Sequence, residues 1–310
     1  MKKIKLYALT GFLGSGKTTI LKNLLTNLDG KKVGVLQNEF GKLGIDGEIL
    51  RKDDDLEMIE INKGSIFCSC LKLSFVEALV ELSTKNIEYL FVESSGLADP
   101  SNMKEILKAT AVASGDVYEF EGAICLVDAL NFEEQIADLE TVERQLKHCN
   151  IAVISKMDLV DEERYESLVE HIRKINPVCR IVKSYNGKID FDLLAEDLKQ
   201  FSWAESEETT NTKENKPKTL FITYDKEMEK EKFHKFLESI KDKCYRMKGF
   251  FNIEGSWNQV DVVGTTINYE KCESKDSSEL VIISKIGPAI IKPIFTEWEA
   301  IFGEKPALKN

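Results

Sequence analysis

The run Gly11-Phe-Leu-Gly14-Ser15-Gly16-Lys17-Thr18 constrains this chain more than any other stretch, because it fits G-x-x-x-x-G-K-[ST] in the setting where that pattern carries chemistry. An apolar segment, Lys3–Thr10, precedes it, and a helical pattern opening Thr18-Thr19-Ile20-Leu21 follows. A strand that runs through a glycine-rich loop into a helix turns backbone N–H groups and the positive helix end toward phosphate oxygens. Gly11, Gly14, Ser15, Gly16, Lys17, Thr18 and Thr19 are the expected phosphate-binding residues. Lys17 would reach the β- and γ-phosphates and the Thr18 hydroxyl would sit on Mg²⁺. A glycine-rich turn that merely precedes a helix is the plainer alternative.

The organisation around this loop predicts an α/β fold. Continuous apolar runs at Lys3–Thr10, Lys32–Gln37, Tyr89–Glu93, Gly122–Asp128, Ile151–Ser155 and Arg180–Ser184 read as strands of a parallel sheet covered on both faces. Helical patterns alternate with them at Thr18–Asn27, Leu73–Thr84, Met103–Thr110, Phe132–Lys147, Glu162–Ile175 and Asp190–Leu198. This alternation predicts a P-loop NTPase-type, doubly wound, mostly parallel sheet over residues 1–200. Ala204–Lys218 has no large apolar side chain and reads as a solvated linker, so residues 201–218 are expected to connect two domains. Residues 219–310 then place strands at Thr219–Tyr224, Tyr245–Ile253, Asn258–Val263 and Leu280–Ile283 between helices near Glu227–Ile240 and Ala289–Phe302. That order predicts a small C-terminal α+β domain.

Charge and cysteine content narrow the function classes. With 42 Lys+Arg against 53 Asp+Glu, the net charge of -11 argues against nucleic acid as a main partner. No apolar run is long enough for a bilayer span, so no membrane partner is expected. Leu6–Leu13 is interrupted by Gly11 and followed by Lys17 without a small-residue cleavage site, so it is expected to belong to the mature fold. The seven cysteines are odd in number and mostly scattered, which favours reduced thiols and a cytoplasmic location.

A base-reading element is suggested by Ser155-Lys156-Met157-Asp158 directly after the strand Ile151–Ile154. Guanine-specific P-loop proteins use Asn-Lys-x-Asp at a strand end, the Asp accepting from the ring and exocyclic nitrogens. Here Lys156 and Asp158 are in place and Ser155 stands at the Asn position, which should weaken selectivity rather than abolish it. GTP is favoured over ATP by the family resemblance that the surrounding motifs carry. A strand end followed by the helix cap of Asp161 is the alternative.

Taken in order, Gly11–Thr19, Gln37-Asn-Glu39-Phe-Gly41, Gly44-Ile-Asp-Gly47, Glu93-Ser-Ser-Gly96-Leu-Ala-Asp-Pro100, Val127-Asp-Ala129 and Ser155–Asp158 resemble the CobW family of metal-chaperone GTPases, relatives of the urease and hydrogenase nickel-insertion GTPases. Arg246-Met-Lys-Gly-Phe250 looks like that family's C-terminal domain, so the resemblance spans nearly the whole chain. It implies a GTPase domain with low intrinsic hydrolysis and metal delivery to a client metalloprotein, with a homodimer left open. Glu93 would bind or orient the Mg²⁺ shell, Gly96 would give the γ-phosphate room and an N–H donor, and Asn38–Gly41 would lie in the first switch segment. An acid capping a strand end and an ordinary turn glycine are the alternatives for Glu93 and Gly96.

The family's metal motif, Cys-x-Cys-Cys, is altered here to Ser65-Ile-Phe67-Cys68-Ser-Cys70. Two thiolates still suit Zn²⁺ if other groups complete the tetrahedron. The resemblance makes Glu39 the first such group, and mixed sulfur and oxygen donors also admit Co²⁺ or Ni²⁺. A buried turn or a redox pair are the other readings of Cys68 and Cys70. The remaining cysteines read as packing residues, and His148, His171 and His234 as surface or half-buried. The combined expectation is a GTP-hydrolysing metallochaperone or metalloenzyme activator. A nucleotide-gated protein-binding switch, using GTP or ATP without metal cargo, is the rival.

Overall fold

A computed structural model describes residues 3–28, 30–38, 56–61, 72–98, 100–189, 195–207 and 217–309. The chain divides into two compact units, Met1–Asn215 and Lys216–Asn310. Among the described residues no helix is long and apolar enough to cross a membrane.

The first unit is a doubly wound α/β layer structure. Its sheet runs β3-β2-β4-β1-β5-β6-β7-β8, built from β1 (Ile4–Gly11), β2 (Val33–Asn38), β3 (Leu56–Ile61), β4 (Tyr89–Glu93), β5 (Tyr118–Asp128), β6 (Ile151–Ser155), β7 (Arg180–Tyr185) and β8 (Lys188–Ile189). Pairing is parallel throughout except for the β7–β8 hairpin. The helices are α1 (Lys17–Thr26), α2 (Lys72–Ser83), α3 (Met103–Ser114), α4 (Phe132–Asp138), α5 (Glu140–Lys147) and α6 (Glu162–Ile175). Strands β1, β4 and β6 are almost wholly buried, which explains their unbroken apolar composition. On one face, Ile20, Leu21 and Leu24 of α1 pack with Tyr7, Val35, Phe91 and Ile124, where the Tyr7 and Phe91 rings stack at 5.4 Å.

Several expectations change. Phe132–Lys147 is two helices, broken at Leu139, which takes extended angles. The break has a charge rationale: Glu140 and Glu143 open a new first turn and Arg144 and Lys147 close it, complementing a fresh helix dipole. The helix expected at Asp190–Leu198 is not formed over its described residues, 195–198. The chain instead enters a 3-10 turn at Leu198–Phe201, and Asn150 Nδ2 donates to the Leu198 carbonyl at 2.9 Å. Strand β3 was not anticipated, since Glu57 and Glu60 interrupt its apolar run.

Some of the stretch read as solvated linker is docked on the first unit. The Ser206 hydroxyl and the Glu207 backbone N–H both donate to the Ser101 carbonyl, at 2.7 and 3.3 Å. The Glu207 carboxylate receives Arg144 Nη1 at 3.1 Å and Lys147 Nζ at 2.5 Å. The Lys147 hydrogen bond holds that carboxyl below its ordinary range, against the opposing cost of burial.

The second unit is α+β. Its sheet, β12-β11-β10-β13-β9-β14, comprises β9 (Thr219–Tyr224), β10 (Cys244–Ile253), β11 (Ser256–Val263), β12 (Thr266–Lys271), β13 (Ser278–Ser284) and β14 (Ala307–Lys309). All these pairings are antiparallel. Helices α7 (Lys230–Ile240) and α8 (Ile291–Phe302) supply Phe233, Phe236 and Trp298 to a core shared with Met247 and Phe251. The Phe236 and Trp298 rings meet edge to face at 4.9 Å. Strands β12 and β14 were not anticipated; Asn268 and the charged end Glu270-Lys271 hide the alternation of Ile267 and Tyr269 in β12.

Candidate functional site

Strand β1 lies between β4 and β5, where the winding of the sheet reverses. Such a switch point opens a crevice at the carboxyl ends of the strands, and the loop from Gly11 to Gly16 leaves β1 at that place. The loop bends through left-handed backbone angles at Gly11 (φ 130°), Gly14 (φ 74°) and Gly16 (φ 93°), a region that glycine alone enters freely. A Cβ on Gly11 would also stand 2.5 Å from the Leu126 carbonyl oxygen. Ser15 Oγ is buried and makes no hydrogen bond among the described residues. The Lys17 ammonium is folded over the loop, donating to the carbonyls of Gly11 at 2.8 Å and Phe12 at 3.0 Å.

One residue on, the Thr18 hydroxyl donates to Glu93 Oε1 at 2.8 Å. The other carboxylate oxygen, Oε2, accepts from Gln37 Nε2 at 2.5 Å. Glu93 ends β4 and is 6% exposed. A hydroxyl and a buried carboxylate beside a phosphate loop form an all-oxygen donor set, which fits Mg²⁺. Thr19, by contrast, lies against the β7–β8 turn: a Cβ on Gly187 would come 2.4 Å from its Cγ2.

The loop after Glu93 closes over the same mouth. A Cβ on Gly96 would meet the Leu13 backbone nitrogen at 2.6 Å, so only glycine admits this approach to the phosphate loop. The Gln145 amide on α5 donates to the carbonyls of Gly96 and Ala98, at 3.2 and 2.8 Å. Thr10 Oγ1 gives Ala98 a second donor at 3.0 Å.

The loop after β6 stands beside it. The Ser155 hydroxyl donates to the Ser15 carbonyl at 2.7 Å and also lies 3.1 Å from the Val127 carbonyl. Serine at this position therefore ties the loop after β6 to the Gly11–Gly16 loop. Lys156 adopts a left-handed φ of 59° and pairs with Asp128 Oδ2 at 2.7 Å, where the Asp128 side chain is fully buried. Asp158 is exposed, and its Oδ1 accepts the Asn186 backbone N–H at 2.8 Å.

The structure thus brings Gly11, Gly14, Ser15, Gly16, Lys17, Thr18, Glu93 and Gly96 together, with Ser155 beside them. Gln37, Asp128, Gln145 and Asn186 complete the arrangement without having been singled out for a role. Gln37 and Asp128 stood inside quoted motifs, and their place at strand ends was the available signal.

Glu39, Cys68 and Cys70 lie outside the described residues. Among the described residues no cluster of three or more His, Cys, Asp or Glu side chains could hold a metal. Cys125, Cys149, Cys179 and Cys244 are buried, as packing residues should be. Cys149 nonetheless neighbours both Cys125 and Cys179: burial pushes its thiol up, while a hydrogen bond from Cys149 holds the Cys179 thiol down. His148, at the end of α5, faces Glu207 at 3.7 Å.

Two family models match the chain. The CobW/HypB/UreG nucleotide-binding domain covers residues 5–183, and the cobalamin synthesis protein cobW C-terminal domain covers residues 218–295. The zinc chaperone YjiA of Escherichia coli (strain K12) is 28% identical over 276 residues, 84% of this chain and 85% of its own length. The zinc-regulated GTPase metalloprotein activator 1 of Schizosaccharomyces pombe (strain 972 / ATCC 24843) is 28% identical over 190 residues, 59% of this chain and 46% of its own. The crystal structure of Zn(II)-bound YjiA GTPase from E. coli aligns with 97% of this chain and 99% of its own, at 22% identity and a TM-score of 0.48.

Proposed function

We propose that this chain, which belongs to the CobW/HypB/UreG family, hydrolyses GTP with Mg²⁺ and uses the cycle to pass a transition metal to a client metalloprotein. The observation that carries the reading is the meeting, at the carboxyl ends of the central strands, of Lys17, the Thr18–Glu93 pair and, through the Ser155–Ser15 hydrogen bond, the loop bearing Lys156 and Asp158. Gly11, Gly14, Ser15, Gly16 and Lys17 would bind the phosphates, and Thr18 and Glu93 would hold Mg²⁺, which would screen the phosphate oxygens when bound. Gly96 would donate its N–H to the γ-phosphate. Asp158, with one oxygen fixed by Asn186, has a second oxygen to offer the guanine donors, and Lys156 would flank the base. Ser155 would hold the two loops in register rather than touch the base, and Thr19 would act at the rim.

Zinc is the cargo this reading favours, since relatives are named zinc chaperones and zinc-regulated activators. Cys68 and Cys70 would bind it with Glu39, in the cytoplasm, where thiols stay reduced. Cobalt or nickel would fit a mixed donor set too. Low intrinsic turnover and assembly as a homodimer belong to the same reading.

The test is equilibrium dialysis of Zn²⁺ against wild type and the Cys68→Ser/Cys70→Ser protein, with and without GTP·Mg²⁺. Wild type is expected to hold zinc with an affinity that changes when nucleotide binds, and the double variant to lose it. Equal retention by both proteins would remove those thiols from the account. The rival reading, a nucleotide-gated switch without metal cargo, would then stand, on the observation that Ser65 and Phe67 replace two of the family's cysteines. Separately, Asp158→Ala should lower the preference for GTP over ATP by on the order of 10²-fold, from the loss of charge-assisted hydrogen bonds. Equal turnover of both nucleotides by wild type would overturn the guanine assignment.

A further inference from the structure

We propose that Gln37 is a positioning residue for magnesium: its side-chain amide fixes the Glu93 carboxylate in the orientation that a phosphate-bound cation needs. This rests on the reading of Thr18 and Glu93 as the magnesium pair.

Three elements meet at that carboxylate. The β2–β4 register pairs Val35 with Phe91 and Gln37 with Glu93. Val35 and Phe91 pack in the core under α1, so Gln37 and Glu93, two residues further along each strand, leave the sheet on that same face. Helix α1 contributes Thr18, whose hydroxyl occupies Oε1, while the Gln37 amide occupies Oε2. Each oxygen is therefore tethered from a different element. With one tether, the carboxylate would turn about its terminal bond, a broad and soft torsion.

The choice of side chain matters as much as its place. Gln37 and Glu93 are each 6% exposed, so bulk water competes poorly for their hydrogen bond. A lysine or arginine would orient the carboxylate and also neutralise it. A neutral amide orients it and leaves its charge for the cation, which is the office of an outer-shell partner.

The experiment follows the affinity of a fluorescent GDP analogue across a Mg²⁺ titration, which needs no turnover. Gln37→Met keeps the volume and removes the donor. Gln37→Asn keeps the amide and withdraws it by one methylene. Both are expected to raise the half-saturating Mg²⁺ concentration about 10-fold or more, while affinity in excess EDTA stays within about two-fold of wild type. A merely structural role would move the EDTA value and leave the magnesium dependence alone. Wild-type magnesium dependence in both variants overturns the proposal, and if Gln37→Met binds no nucleotide, Gln37→Asn decides. Wild-type nucleotide affinity that ignores Mg²⁺ would instead remove the Thr18–Glu93 reading, and this inference with it.

Discussion

GTP turnover by Lys17→Ala is expected to fall by a factor on the order of 10²–10³, the usual cost of deleting one preorganised charge from a transition-state site. The geometry argues for the full loss. The ammonium is already held over the loop by the Gly11 and Phe12 carbonyls, so its position is set before a nucleotide arrives. It is also only 9% exposed, which strengthens its interaction with developing charge. Lys17→Arg should not rescue, because a planar guanidinium cannot replace a compact ammonium between two closely placed carbonyls. Single-turnover GTP hydrolysis reads the effect, and turnover equal to wild type would end the phosphate-loop account.

The second large effect is on stability. A Cβ on Gly249 would lie 1.9 Å from the Glu279 carbonyl oxygen. The obstacle is backbone in β13, paired with β10 through Gly249↔Leu280 and Phe250↔Glu279, so it cannot swing aside as a side chain would. Gly249→Ala must push β10 and β13 apart or distort both, at about 3 kcal/mol or more. For a unit of this size that corresponds to a Tm lower by about 12–24 °C. Calorimetry of the full chain should show the transition of the second unit shifted by that much, and an unmoved transition would refute the close approach. The glycine of Arg246-Met-Lys-Gly-Phe250 is thereby explained by packing.

Most of the fold was legible because its evidence is local. Continuous apolar runs marked β1, β4 and β6, and the phosphate loop is one uninterrupted stretch whose glycines and lysine need no partner to be recognised. What escaped depends on crossovers. Gln37 meets Glu93 because β2 returns to lie beside β4, and Ser155 reaches Ser15 because β5 separates β6 from β1 by one strand. No periodicity encodes those neighbours. Strand β3 was hidden by Glu57 and Glu60. The Asp190–Leu198 pattern misled in another way: the side chain of Asn150 takes the carbonyl of the buried Leu198, and a 3-10 turn begins there instead. The expected linker began too early because Glu207 is a charged residue with three basic neighbours, Arg144, Lys147 and His148, and composition cannot see partners.

The burial of four cysteines has a practical consequence for following the remaining thiols. Cys125, Cys149, Cys179 and Cys244 are enclosed, and Cys272 is partly open. A maleimide added to the native protein should therefore find at most one rapidly reacting sulfur among these five, and any further prompt equivalents must come from Cys68 and Cys70. Alkylation stoichiometry, read without mutating anything, becomes a direct gauge of whether zinc shields that pair and whether GTP uncovers it.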